Sequence, residues 1–152
     1  MILIRIEKEA FESWKSQIEE LFNSSVKMNF ASYPIKASYG KEKCEEVIRY
    51  LQDGSAIVFA AIERRKMYGW VWCHEINRLG KRRLHIAEIA VFEEFQHQGI
   101  GGKLLNMVEE YAVEHDISEI DLFVTLSNKS AVLFYEKTSY EPERCLMKKK
   151  LK

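Results

Sequence analysis

The residues best suited to binding chemistry form a glycine-rich run at 96–102, which has the sequence Gln-His-Gln-Gly-Ile-Gly-Gly. It follows an apolar segment typical of a strand. It leads into a predicted helix, in which Ile100, Leu104 and Val108 lie at helical spacing. Glycines let the chain turn tightly, and the first N–H groups of a helix have no partner inside it. Together with the helix dipole, these groups could hold a phosphate or pyrophosphate. A turn without a ligand has the same composition, so the run alone leaves both interpretations open.

Two common phosphate-binding motifs do not match this run. The Gly-Lys pair at 102–103 is followed by Leu104 instead of Ser or Thr, and the upstream glycine of the Walker A motif is missing. The dinucleotide motif G-x-G-x-x-G begins with Gly99 and Gly101 but fails at Leu104. Asp121 lies too early in its strand for a ribose contact.

Two titratable side chains upstream of the run are candidates for proton transfer. Glu88 is a carboxylate in an otherwise apolar strand, where burial would raise its pKa to a useful range. His85 is the second candidate, because a free imidazole, with a reference pKa of about 6.5, suits a base. The two have opposite parity on a regular strand, and a β-bulge between them would let both face one site. A water relay without a single base is the third alternative.

The elements that position these residues follow from hydrophobic periodicity. The sequence predicts helices over residues 9–22, 41–51, 100–115 and 130–137, and strands over residues 2–6, 56–63, 68–76, 84–92, 120–125 and 144–151. Antiparallel-looking strands come first, and a strand–helix–strand–helix–strand series follows. This order predicts a mixed α/β domain with a mainly antiparallel sheet and flanking helices, spanning residues 1–152.

Composition excludes several classes of protein. The chain has 152 residues, 47% of them hydrophobic, which is enough for one domain with its own core. Twenty-three basic and 23 acidic residues give no net charge, which argues against a nucleic-acid binder held by its overall field. No apolar run approaches a membrane span, and the N-terminus does not resemble a signal peptide. Cys44, Cys73 and Cys145 form no Cys-x-x-Cys pair, so we expect a reduced, cytoplasmic protein without a metal or disulfide framework.

Two blocks of sequence resemble the GNAT superfamily of N-acetyltransferases. The run at 96–101 resembles the acetyl-CoA-binding motif Q-x-x-G-x-G, which follows an apolar strand; the usual proline and tyrosine before it are Glu93 and Phe95 here. Residues 128–137 resemble the distal motif N-x-x-A-x-x-x-Y-E-K. Where the family continues Leu-Gly-Phe, this chain has Thr-Ser-Tyr at 138–140, without the customary C-cap glycine.

The resemblance implies a GNAT-like acyl-CoA N-acyltransferase fold in which the fourth and fifth strands splay apart and acetyl-CoA enters the gap. The fourth-strand backbone would pair with the pantetheine arm as if it were an added strand. The turn N–H groups would hold the pyrophosphate, and Gln96 would shape the loop. The implied cofactor-binding residues are Ile89, Ala90, Val91, Gln96, His97, Gln98, Gly99, Ile100, Gly101, Gly102, Asn128 and Tyr135.

The resemblance also implies the chemistry, which is transfer of an acetyl group from acetyl-CoA to a primary amine by direct attack on the thioester. A fourth-strand N–H would polarise the carbonyl. Tyr135 matches the family tyrosine that protonates the departing sulfur, and a phenol of pKa about 10 is a reasonable donor to a thiolate. Glu88 would be the base or the amine anchor, and His85 is the second candidate.

Several alternatives stay open at this point. A non-catalytic acyl-CoA-binding or regulatory module could use the same fold, although the presence of both Tyr135 and Glu88 argues against it. The acceptor could be a peptide or protein amine, a polyamine, an antibiotic or a small metabolite. We expect no nucleic-acid or membrane partner, and the resemblance allows a homodimer.

Overall fold

The computed structural model describes every residue from Met1 to Lys152. The elements, in chain order, are β1 (Ile2–Arg5), α1 (Lys8–Asn29), α2 (Tyr39–Gln52), β2 (Ile57–Glu63), β3 (Lys66–Arg78), β4 (Lys81–Val91), α3 (Ile100–Glu114), β5 (Ile120–Leu122) and α4 (Lys129–Lys137), with a short 3₁₀ helix at Glu93–Phe95. The strands form one sheet in the order β1-β2-β3-β4-β5; the first four are antiparallel, and β5 is parallel to β4. The predicted mixed α/β class is confirmed.

The sheet carries helices on both faces, because alternate strand residues point to opposite sides. Helices α1 and α2 cover one face, where Trp70 is fully buried and meets Phe22 edge to face at 5.1 Å. Helix α3 covers the other face, where Leu104 packs in the cluster that contains Val71 and Cys73. Trp70 and Val71 therefore lie on opposite faces of β3.

Helix α1 is longer than the sequence predicts and ends at Asn29 instead of Phe22. Ser24 and Ser25 disfavour a helix interior, but Val26 continues the buried stripe four residues after Phe22. The Ser24 hydroxyl also donates to the Leu21 carbonyl at 3.0 Å, so the helix accommodates it. The extra turns bring Ser25 and Asn29 to the site described below.

Strand β5 leaves the sheet after a very short ladder. Leu84, His85 and Ile86 of β4 pair with residues 120–122, and no β5 residue pairs with β4 beyond Ile86. The sequence predicts a longer β5, to residue 125, and this is wrong because the two strands diverge. The divergence is the splay of the fourth and fifth strands that the fold class implies.

The predicted final strand over residues 144–151 does not form. Residues 141–152 adopt no regular element, and all of them are exposed. Strand hydrogen bonds come from a neighbouring strand, and within this chain the segment has none beside it. Separately, no helix combines the length and the apolar character needed to cross a membrane.

Candidate functional site

The opening between β4 and β5 gathers side chains from several elements. Beyond Ile86, β4 continues to Val91 with β3 on one side and no strand on the other. In an antiparallel ladder, successive N–H and C=O groups point alternately to the two sides of a strand. The stretch that contains Ile89, Ala90 and Val91 therefore presents unpaired backbone groups toward the opening.

A β-bulge in β4 sets which side chains share a face. Trp72 pairs with Glu88, but the next residue, Cys73, pairs with Ile86, so Ala87 is an extra residue. The Glu88 side chain lies on the face of the sheet that α1 and α2 cover, where it contacts α1. The His85 ring lies on that same face, 5.5 Å from the ring of His74. The bulge that could unite Glu88 and His85 is therefore present.

Glu88 lies where β4 meets the two N-terminal helices. The Ser25 hydroxyl of α1 donates to the Glu88 carboxylate at 2.6 Å, and the Lys43 ammonium of α2 lies close enough to act on its charge. Burial raises the pKa of Glu88 to about 7, although the Ser25 hydrogen bond and Lys43 act in the opposite direction. Near neutral pH the carboxyl can therefore both take up and release a proton.

Tyr135 lies in α4 and its side chain is largely buried. Burial raises the pKa of its phenol well above the ordinary value, and the negative charge of Glu88 adds to the shift. The Glu88 carboxylate is therefore near enough for its charge to act on the Tyr135 phenol. The phenol stays protonated at neutral pH, so Tyr135 can act there only as a hydrogen-bond or proton donor.

His85 belongs to a separate ionic cluster with Asp121 and Arg83, in the part of the sheet where β4 and β5 are still paired. Its Nδ1 lies 2.6 Å from the Asp121 carboxylate of β5, and Arg83 reaches the other oxygen of that carboxylate at 3.3 Å. An ionised carboxylate can only accept, so this contact assigns the hydrogen to Nδ1 and leaves Nε2 as the free nitrogen. Sequence reasoning did not find the pairing with Asp121, because the register of two parallel strands far apart in sequence has no local signal.

The glycine-rich turn leaves a row of donors free. Gly99 adopts φ +76° and His97 adopts φ +61°, which turns the chain sharply before α3 begins. None of the six backbone N–H groups from His97 to Gly102 has an acceptor within the chain, and the first bond of the helix is that from Lys103 to Gly99. Six free N–H groups at a helix start form a site suited to a phosphate or pyrophosphate.

Contacts of Gln96, Gly101 and Gln98 shape this turn. The Gln96 amide donates to the Val91 carbonyl at 3.0 Å, which ties the turn to the end of β4. Gly101 lets α4 approach, because a Cβ at this position would lie only 3.0 Å from the Phe134 ring. Gln98, by contrast, directs its amide back to the Glu94 carbonyl at 3.2 Å.

Asn128 joins the start of α4 to the end of α1. Its side-chain oxygen accepts from the Ala131 N–H at 3.2 Å and so caps α4. Its side-chain nitrogen donates to the Asn29 oxygen at 2.9 Å. The structure thus gives Asn128 a positioning role at the edge of the opening.

The cysteines lie outside this site. Cys44 and Cys73 are buried, and burial raises the pKa of each thiol to about 12, so neither is a thiolate at neutral pH. Cys145 is exposed in the segment after α4.

Comparison with known proteins gives consistent results. The model of a family described as "Acetyltransferase (GNAT) family" matches residues 16–140. An uncharacterized N-acetyltransferase of Methanocaldococcus jannaschii is 36% identical over 70 residues, which cover 45% of this chain and 31% of that protein. The chain therefore spans about a third of the length of that relative.

Two solved structures share the fold. An aminoglycoside acetyltransferase from an uncultured soil metagenomic sample, in complex with trehalose, is 21% identical and has a TM-score of 0.75, covering 99% of this chain and 96% of that one. A ribosomal-protein-alanine N-acetyltransferase from Brucella melitensis is 16% identical and has a TM-score of 0.70, covering 99% of this chain and 100% of that one. At these identities the likeness concerns the fold.

We expect replacement of Glu88 by Gln to change the pH dependence of the free energy of unfolding. Because the pKa is raised, the folded state keeps the Glu88 proton between the ordinary value of 4.5 and about 7, while the unfolded chain releases it. The wild-type free energy of unfolding therefore loses a contribution as pH rises through this window. Glu88→Gln has no such proton and does not share the loss, so urea denaturation at a series of pH values measures the difference.

The matched control is Glu20→Gln, which removes one exposed carboxylate from α1. The free energy of unfolding of Glu88→Gln, relative to that of the wild type, should increase between pH 4.5 and about 7. A difference that stays constant across this window would contradict the raised pKa.

Proposed function

The chain belongs to the acetyltransferase (GNAT) family, and from this premise we propose that it transfers an acetyl group from acetyl-CoA to a primary amine. The observation that carries the proposal is the position of Glu88. Its carboxyl has a pKa of about 7, and Glu88 lies on β4 after the last residue that pairs with β5, directly before the free edge at residues 89–91. A proton acceptor beside such a binding edge suits direct attack by an amine.

The groups that would bind acetyl-CoA fit its chemistry. The N–H groups from His97 to Gly102 are free to hold the two phosphates, and the start of α3 adds the positive end of its dipole. The free edge of β4 over residues 89–91, where Gln96 already occupies the Val91 carbonyl, would hold the pantetheine amides as an added strand does. Acetyl-CoA would supply the activated acyl group as a thioester.

Glu88 is the preferred base. It lies beyond the point where β5 leaves β4, whereas His85 lies within the paired part of the ladder. The Nδ1 of His85 is also engaged by Asp121, so this histidine could contribute only through Nε2. In the proposed reaction, Glu88 takes the proton of the attacking amine, and a β4 N–H polarises the thioester carbonyl.

Tyr135 is the proposed acid. Its phenol stays protonated at neutral pH, and Glu88 is near enough for its charge to act on it. As the carbon–sulfur bond breaks, the Tyr135 phenol would donate its proton to the leaving sulfur. The phenolate recovers its proton from solvent or from the Glu88 carboxyl after product release.

The charges near the opening favour an acceptor with one amine over a polyamine or an aminoglycoside. Asp121 is engaged by Arg83, Glu46 by Lys43 at 2.9 Å, and Glu75 by Arg82. Glu88 has no such cationic partner in contact, and the nearby Lys43 would repel further ammonium groups. A carboxylate without a cation in contact, as Glu88 is, suits one ammonium group, as at the N-terminus of a peptide or in a small monoamine.

We expect Glu88→Gln to lower kcat/KM by roughly 10²–10⁴-fold, because the variant cannot accept the amine proton. Wild-type kcat/KM should rise with pH through about 7, as the carboxyl ionises, and the variant should lose this rise. Release of the CoA thiol, with a small monoamine as acceptor, measures the rate. Glu20→Gln controls for the lost charge. An unchanged pH profile in Glu88→Gln would assign the base to His85 or to water.

We expect Tyr135→Phe to lower kcat while leaving the affinity for acetyl-CoA within about twofold, since only the proton donor is lost. Thiol release gives kcat, and calorimetric titration with acetyl-CoA gives the affinity. Unchanged turnover would remove Tyr135 from the mechanism. If the wild type binds acetyl-CoA but turns over no amine, the protein is a binding or regulatory module.

A further inference from the structure

The two oxygens of the Glu88 carboxyl have different surroundings. The Ser25 hydroxyl donates to Oε1 at 2.6 Å, a length typical of a charge-assisted hydrogen bond. Oε2 has no hydrogen-bond partner within the chain, and it is not among the unpartnered side-chain oxygens that are sealed from solvent. One oxygen is therefore held by the protein, while the other is free to meet a group that enters from outside.

Ser25 is itself held in place by the helix that carries it. It lies in the last turns of α1, next to Val26, which is buried. Four residues further on, and therefore on the same face of the helix, the Asn29 side-chain oxygen accepts from the Asn128 amide at 2.9 Å. The end of α1 is thus bound to β4 through Ser25 and to the start of α4 through Asn29. A hydroxyl on a helix anchored in this way can hold a carboxyl oxygen in one direction.

The charged and titratable groups around Glu88 come from α2 and α4. The Lys43 ammonium of α2 favours the ionised carboxyl through its charge, without a hydrogen bond to it. Tyr39 of α2 and Tyr135 of α4 both lie near enough to respond to the Glu88 charge, and the raised pKa of each phenol keeps it protonated at neutral pH. On β3, the residue paired with Glu88 is Trp72, which does not titrate. The serine hydroxyl of α1 is therefore the one side chain that fixes the direction of the carboxyl by a hydrogen bond.

We propose that Ser25 is a positioning residue for acetyl transfer, whose hydroxyl fixes Oε1 of Glu88 and so directs Oε2 toward the incoming amine. The inference rests on the proposed role of Glu88 as the base. As the amine nitrogen bonds to the thioester carbon, its proton passes to Oε2, and the Ser25 hydroxyl keeps its own proton. The same hydroxyl stabilises the ionised carboxyl, which holds the pKa of Glu88 below the value that burial alone would give.

The first measurement is the titration of the Glu88 carboxyl by carbon-13 NMR in the protein without ligands, with Glu88→Gln identifying its resonance. In Ser25→Ala the pKa of Glu88 should rise, because the ionised form loses a donor while the burial remains. Alanine favours a helix, so α1 should be retained. Ser25→Thr returns a hydroxyl and should restore the wild-type midpoint. The matched control Ser24→Ala removes a hydroxyl that donates to the Leu21 carbonyl of its own helix, and it should leave the midpoint unchanged.

The second measurement is the release of the CoA thiol against pH, with a small monoamine as acceptor and saturating acetyl-CoA. Ser25→Ala should lower kcat roughly tenfold at pH 7 and move the rise of kcat/KM to higher pH, because the base is both misdirected and less ionised. Ser25→Thr and Ser24→Ala should stay within about twofold of the wild type and keep its pH profile.

The two measurements separate this inference from the proposed function. An unchanged Glu88 midpoint in Ser25→Ala would overturn the inference, whether or not the protein turns over an amine. A midpoint that rises without any change in the pH profile of turnover would also overturn it, because Ser25 would then act on a carboxyl that is not the base. If the wild type releases no thiol with any amine, the proposed function fails and the positioning role fails with it, while the titration still shows whether Ser25 holds the carboxyl.

Discussion

The separation of β5 from β4 after Ile86 is the constraint on which the site depends. If β5 continued alongside β4, it would pair with the N–H and C=O groups of β4 and leave no opening. Because the ladder stops after three residues, the β4 backbone up to Val91 keeps one unpaired edge. The chain then turns through residues 96–102, which brings the free N–H groups of the turn to the same end of the sheet. The early end of the β4–β5 ladder thus leaves the edge of β4 unpaired and places it at the same end of the sheet as the turn.

The bulge at Ala87 gives this opening its chemistry. Without the extra residue, Glu88 and His85 would point to opposite faces of the sheet, and one of them would enter the core around α3. With it, Glu88 meets Ser25 at the end of β4 that faces the opening, while His85 stays among the charged groups around Asp121. Desolvation raises the pKa of the carboxyl to about 7, and the Ser25 hydroxyl orients it. The α1 and α2 layer therefore both buries the acid and positions it.

The sequence predicts those parts of the site that depend on local pattern. The glycines of 96–102 and the candidacy of Glu88 follow from residue type and spacing, and the role of Tyr135 follows from resemblance. Contacts between distant segments have no such signal. Helix α1 continues past Phe22 because the fold buries Val26, and this extension, which no local pattern predicts, brings Ser25 to Glu88. Residues 144–151 have a strand pattern, but a strand also needs a neighbour, and the chain supplies none.

The central claim is that the free edge of β4 and the free N–H groups of the turn bind acetyl-CoA. Backbone hydrogen exchange with and without acetyl-CoA tests it most directly, because it measures the protection of these amides themselves. The account predicts slower exchange of the amides in two stretches, residues 87–91 on the free edge of β4 and residues 97–102 in the turn, with little change in α2 or β1. Nicotinamide adenine dinucleotide, which also carries a pyrophosphate but has no pantetheine, should leave residues 87–91 unchanged. Protection that omits both stretches, or no protection at saturating acetyl-CoA, would contradict the account.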